Sequence, residues 1–362
     1  MQSPPGTAST EDRPLRLSVL DLIPVRSGQT TAEALQATVA LAQVAEAAGM
    51  HRYWVAEHHN MPAVAATNPP VLIAMLAAAT SSMRVGSGGV MLPNHAPLVV
   101  AEQFALLEAA YPGRIDLGIG RAPGSDPVTN FALRHNGPET ADANRFDEVV
   151  DNVLAMLSPE GVGLQLQGRS YPLRATPQAV GTPQVWLLGS SDYSARLAAA
   201  KGLPYVFAHH FSGEGTAQVL DLYRSSFRPS DLLAAPRTFL TVNAVVADTA
   251  QEAERLARPQ LLAMVALRTG GELRPQLSVE EAERTALPAQ HVALAEQMRS
   301  RWVVGTPEAA VAQLTELAAT FAVDEVMVNP VAGSSEADPA GRAPAREATL
   351  TLLAAALAQT RA

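Results

Sequence analysis

Histidine is the side chain whose ordinary pKa lies nearest neutrality, so its positions mark the first places to look for proton transfer or ligand contact. Five of the eight histidines in this chain fall in three short segments, Glu57-His58-His59-Asn60, Asn94-His95 and His209-His210. Each segment follows an apolar run. Glu57 ahead of the first pair suits one neutral imidazole that faces a ligand and is oriented by a carboxylate. The bland reading is a solvated loop or a structural ion pair. A metal site is disfavoured, because neighbours along a strand point to opposite faces and there is no H-E-x-x-H. His209-His210 reads equally well as a pocket lining or as a strand cap.

Glycines supply a second signal. The β-type run Val85–Leu92 is interrupted by Gly86, Gly88 and Gly89 and breaks at Pro93. Glycine weakens a strand, so three in one strand point to close approach to the backbone. Gly118 and Gly120 leave room for a flat ligand ahead of Arg121, a candidate phosphate contact. Gly189-Ser190-Ser191 precedes a helix pattern over Tyr193–Lys201, and a helix N-terminus offers free N–H groups and a favourable dipole to an anion. Ordinary capping by Ser190, Ser191 or Asp192 is the competing reading, and Asp192 is assigned to the cap. Glu102, Glu108 and Asp116 read as surface or structural charges. Trp54, Trp186 and Trp302 read as core.

Composition narrows the class. With no cysteine, disulfides, a cysteine nucleophile and thiolate metal sites are excluded, and an intracellular, cytoplasmic protein is expected. The net charge of −9 is spread along the chain without a basic cluster, so nucleic acid and anionic membranes are poor partners. No apolar run reaches the ~18 residues of a membrane span. Residues 1–13 are polar and proline-bearing and read as a disordered leader, with a single domain over 14–362.

Something must position these groups, and the pattern is an apolar run followed by an amphipathic helix, repeated. Strands are expected at Leu15–Leu20, Tyr53–Ala56, Val85–Leu92, Ile115–Ile119, Val185–Leu188, Tyr205–Ala208, Phe239–Ala247 and Glu325–Val328. Two insertions interrupt the repeat. Ser158–Pro183, after helix four (Ala141–Leu157), holds a hairpin around Leu164–Tyr171. Arg268–Arg301, after strand seven and its helix, is helical in part. This is the pattern of a (β/α)8 TIM barrel. The rival, a doubly wound open sheet, would begin with a glycine-rich turn, and Leu20–Gly28 lacks G-x-G-x-x-G. Barrel chemistry sits at the C-terminal ends of strands, which adds Asp21 to the candidates.

The segments LSVLDLIPVRSG, YWVAEHHNMP, VGSGGVMLPNHAPLVVAEQFALLE, GRIDLGIGRAPGSD and VWLLGSSDYSARLAA together resemble the bacterial luciferase-like flavin monooxygenase family, nearest its alkanal-monooxygenase-like branch. The resemblance implies a barrel binding FMN at its mouth. Gly88-Gly89 matches a non-proline cis peptide under the flavin ring. Arg121, Ser190 and Ser191, beside Gly120 and Gly189, match the phosphate region. His58 matches the histidine near the reactive edge, with a catalytic role. Asp21 and His209 would face the substrate.

The resemblance also implies reduced FMN delivered by a separate flavin reductase, reaction with O2, a small organic substrate of the kind met in secondary metabolism, and a homodimer. Residues 122–136 and the second insertion are the expected lids. One departure matters. Bacterial luciferases carry a cysteine after strand four where this chain has Gly120, which disfavours light emission from a long-chain aldehyde. Two alternatives stay open: a deazaflavin-dependent dehydrogenase on the same fold, and a flavin-binding protein without turnover.

Overall fold

The computed structural model describes residues 14–122, 127–134, 145–178, 181–211 and 213–361. The expected leader lies outside the described residues. The strands are β1 (Arg16–Asp21), β2 (Arg52–Val55), β3 (Arg84–Ser87), β4 (Val90–Met91), β5 (Ile115–Gly120), β6 (Val162–Leu166), β7 (Arg169–Leu173), β8 (Gln184–Gly189), β9 (Tyr205–Phe207), β10 (Thr238–Val246), β11 (Val303–Gly305) and β12 (Glu325–Pro330). Eight positions close on themselves with every pairing parallel, in the order β1, β2, β3 with β4, β5, β8, β9, β10, β12. The fold is a (β/α)8 TIM barrel. Helices α1 (Thr31–Ala47), α2 (Pro69–Ala79), α3 (Pro97–Ala110), α4 (Pro127–Arg134), α5 (Phe146–Leu157), α6 (Asp192–Lys201), α7 (Thr216–Ser226), α8 (Ala250–Thr269), α9 (Val279–Arg284), α10 (Val292–Arg299), α11 (Pro307–Thr320) and α12 (Pro344–Gln359) complete the described chain.

Both insertions take the expected form. The first is the antiparallel β6–β7 hairpin; the second carries α9 and α10. Two details differ from expectation. The third strand is split into β3 and β4 at Gly88-Gly89, while the cis bond between these two glycines is the expected one. The three-residue strand β11 extends the sheet beside β10.

Alternation along each strand sorts the core into two compartments. Outward residues such as Val19, Tyr53, Val85, Leu117, Leu187 and Leu240 pack against the helices. Inward residues fill the lumen. At its floor the buried Arg52 meets Asp116 at 2.6 Å and Glu325 at 2.7 Å, and Ser18 donates to Glu325. Above this lies an apolar layer of Leu20, Trp54, Trp186, Val206, Phe239 and Met327, with Leu22 and Leu188 partly buried on top. The Trp186 and Phe239 rings stand 5.0 Å apart. This buried layer fills the lumen beneath the mouth.

Candidate active site

The mouth begins where the glycines are. Some of them serve the barrel itself. A Cβ on Gly118 would lie 2.1 Å from the Ser87 carbonyl oxygen, and one on Gly86 would lie 2.5 Å from Asp116 Cβ. These two glycines let β3 and β5 approach. Gly88 and Gly89 are partly exposed, yet their missing side chains would meet Leu20 and the Gly118 carbonyl at 2.9 and 2.8 Å. Gly120 differs: its nearest neighbour would be the Val90 carbonyl at 3.8 Å, in ordinary contact. The rim over β4 and β5 is therefore backbone with space beside it.

Glu57 is buried and organises this rim. Its Oε1 accepts from His59 Nε2 at 2.8 Å and from His95 Nε2 at 2.7 Å, and its Oε2 accepts the Met91 N–H at 2.9 Å. Burial alone would raise its pKa, but these hydrogen bonds outweigh it and the carboxyl lies below its ordinary range. The carboxylate thus orients His59 and His95, whereas the sequence suggested that it orients the ligand-facing imidazole.

His58 follows Ala56 by two residues, which places it on the lumen side. Its backbone N–H donates to the Ala66 carbonyl at 2.8 Å, while its buried Nδ1 has no partner. Burial lowers its pKa, against the pull of Glu57. It is a neutral ring with an unused polar atom at the mouth.

The same alternation places two candidates outside the lumen. Asp21 points out of the barrel, not toward a substrate. It is completely buried and saturated: Tyr53 Oη donates at 2.6 Å, the Ile23 N–H at 2.7 Å and Arg346 at 2.6 Å, with Thr38 as a fourth donor. Burial would raise its carboxyl pKa, but these partners, Arg346 foremost, hold it low. It locks β1 to α1 and α12.

His209 turns away from the lumen but lines a pocket beside α8 and α10. Its Nδ1 lies 2.8 Å from Thr216 Oγ1 and its ring packs edge-on to Phe321 at 5.3 Å. His210 takes the lumen side in its place. Its Nδ1 meets Thr241 Oγ1 at 2.9 Å, and its carbonyl accepts from Asn243, which accepts from Asn329. Burial, then the neighbouring His209 and His58, push the His210 pKa down to about 4. The lumen-side residues missed in the sequence were legible in principle: counting by two from Val206 reaches His210.

The anion candidates converge on α6. The Arg121 guanidinium lies 4.2 Å from the centroid of the Tyr193 ring, which brings it to the helix's first turn. Ser191 is the N-cap residue and makes no side-chain capping bond. Ser190 before it is exposed. Asp192 is the first helical residue rather than the cap, and its carboxylate turns to Arg196 at 3.2 Å. Gly189 fits under Ser194, whose Oγ would lie 2.7 Å from an added Cβ.

The expected lids are only partly described. Of residues 122–136, α4 is described and 123–126 and 135–136 are not. The second insertion latches to the loop after β1, where Gln276 N–H donates to Val25 and its carbonyl accepts from Ser27. Among the described residues no group of carboxylates and histidines is arranged to hold a metal.

Residues 15–324 match the family described as luciferase-like monooxygenase. A luciferase-like monooxygenase of Escherichia coli (strain K12) is 41% identical over 320 residues, covering 88% of this chain and 92% of its own. The crystal structure of apo-MsnO8 superposes with a TM-score of 0.83 at 34% identity, covering 95% of this chain and 98% of that one. The oxygenating constituent of 3,6-diketocamphane monooxygenase from Pseudomonas putida, in complex with FMN, shares the fold at 16% identity. Its TM-score is 0.67, with 95% of this chain and 98% of that one covered.

Proposed function

This chain belongs to the luciferase-like monooxygenase family, and we propose that it uses O2 and reduced FMN, held at the barrel mouth, to oxygenate a small organic substrate. The observation that carries the reading is the assembly of one rim from four parts. These are the cis Gly88-Gly89 segment, the open backbone at Gly120, Arg121 laid against the first turn of α6, and His58 with its buried, unpartnered Nδ1. The residues present fit a flavin phosphate and a flat ring.

Arg121, with Ser190, Ser191 and the free N–H groups of α6, would hold the phosphate, where charge-assisted bonds and the helix dipole act together. Gly88, Gly89 and Gly120 would present backbone to the ring, with Gly189 at the turn into α6. When bound, reduced FMN supplies the electrons that activate O2. His58 is neutral near pH 7, so it can hold a proton on one ring nitrogen and accept one on the other, as an acid or base must. The Trp54–Trp186–Phe239 plug keeps water out from beneath, which protects any reactive species formed above it.

A separate flavin reductase, by transient contact or diffusion, completes the reading. So does a homodimer, for which the apolar side chains Val71, Val99 and Leu106, exposed on α2 and α3, offer a surface. The cysteine-free sequence suits the cytoplasm. No helix among the described residues is long and apolar enough to cross a membrane.

Anaerobic titration with reduced FMN, followed by admission of O2, tests the proposal. Binding at micromolar concentration and O2 consumption are expected. Substitution His58→Ala should leave binding intact and lower substrate oxygenation about a hundredfold. Failure to bind reduced FMN, or hydride transfer from a reduced deazaflavin without O2, would overturn the reading.

A further inference from the structure

A cavity of about 160 Å³ lies between the segment after β9 and helices α8 and α10. His209 and His210 border it, and His210 also belongs to the lumen-side network of Thr241 and Asn243, so the cavity adjoins the mouth. Its size is near the about 150 Å³ that suffices for benzene. Met264, Met298 and Trp302 give it an apolar wall. The charges are unequal: two guanidinium groups, Arg268 and Arg301, face one carboxylate, Glu214.

The two arginines differ in their partners. Arg301 meets Glu214 at 2.8 Å, and its stem packs on Gly213. Arg268 donates to the Phe211 carbonyl at 2.6 Å and lies 4.2 Å from the Phe211 ring centroid. No carboxylate of the described residues pairs with it. A guanidinium has five N–H donors in a planar fork suited to a carboxylate. Most of that fork remains after one bond to a carbonyl.

We infer that this cavity anchors the substrate and selects a small carboxylic acid. The carboxylate pairs with Arg268, the apolar body lies between Met264, Met298 and Trp302, and the reacting end points past His210 to the mouth. The inference rests on the mouth being the flavin site, but its binding half stands without flavin and can be measured alone.

The probe is hexanoate, with about eight non-hydrogen atoms, compared with hexanamide, which has the same shape and no charge. Isothermal titration of the flavin-free full-length protein should show hexanoate binding more tightly than hexanamide. Arg268→Gln should weaken hexanoate about threefold to tenfold, because the cation is solvent-exposed, and leave hexanamide unchanged. Arg268→Lys should restore part of the loss. Met298→Trp, which fills the cavity, should abolish binding of both. Equal affinity for acid and amide, no detectable hexanoate binding, or hexanoate binding that survives Met298→Trp would each overturn the inference. Reduced FMN titrated separately keeps the two readings apart. If FMN binds and hexanoate does not, only the anchoring site fails.

Discussion

His95 Nε2 donates to Glu57 Oε1 at 2.7 Å, a bond that ties the end of β2 to the turn after β4. The two residues are far apart in sequence, and the bond crosses the rim on which the cis Gly88-Gly89 segment lies. Two more donors, His59 and the Met91 N–H, converge on the same carboxylate. Glu57→Gln keeps the shape but loses the charge, and its amide cannot accept all three bonds. A loss of about 1–3 kcal/mol is expected in denaturant unfolding, the usual cost of leaving buried donors unpaired. Unchanged stability would mean that the rim is held by other contacts.

Arg121 stacks on Tyr193 beside the free end of α6. If it holds a phosphate there, Arg121→Ala should weaken reduced FMN by roughly tenfold, while riboflavin, which lacks the phosphate, binds the variant and the parent equally. Equal losses for both flavins would move Arg121 away from the phosphate.

The glycines of β5 should respond oppositely to one added methyl group. Gly118→Ala would force a Cβ to 2.1 Å from the Ser87 carbonyl, and overpacking of this kind costs about 1–3 kcal/mol or more. Gly120→Ala meets nothing nearer than 3.8 Å. Its melting temperature should match the parent's, and any effect should show in flavin affinity instead. Circular dichroism melts of the two variants decide the matter.

Acid should destabilise the fold through His209. Burial, assisted by Arg301, lowers its pKa from 6.5 to about 4. The unfolded chain therefore takes up a proton first as pH falls. Stability from this residue is intact above about pH 6.5 and erodes down to about pH 4, by roughly 3 kcal/mol in all. His209→Asn, which keeps a polar contact for Thr216, should flatten the fall of melting temperature with pH over that window.

The barrel was legible because eight apolar runs alternate with amphipathic helices, and the strand-end motifs were legible from residue types and their place after each run. What escaped was mostly orientation. Asp21 sits at a strand end, as a substrate-facing group would, but counting from Leu20 turns it toward α1 and α12 rather than the lumen. The same count exchanges His209 for His210. Other misses were long-range by nature. The His95 bond to Glu57 depends on a turn whose path no local pattern records. Strand β11, Val303–Gly305, is too short to show a period and exists because the edge of β10 is there to pair with. Asp192 looked like a cap because aspartate favours that place, yet the helix begins one residue sooner, at Asp192, and Ser191 is its cap.

Closure of the barrel joins β1 to β12, with Arg16 opposite Glu325 and Val19 opposite Val328. The floor of the lumen depends on the same union, since Arg52 reaches one of its two carboxylates only when Glu325 arrives. Arg346 then seals Asp21. A chain emerging from the ribosome thus carries a buried cation and a buried acid that find their last partners only near the end of synthesis. High contact order of this kind slows folding. The closed barrel is therefore among the last parts of the molecule to exist, and nascent or truncated chains lacking β12 and α12 should be clients for chaperones rather than fragments with partial activity.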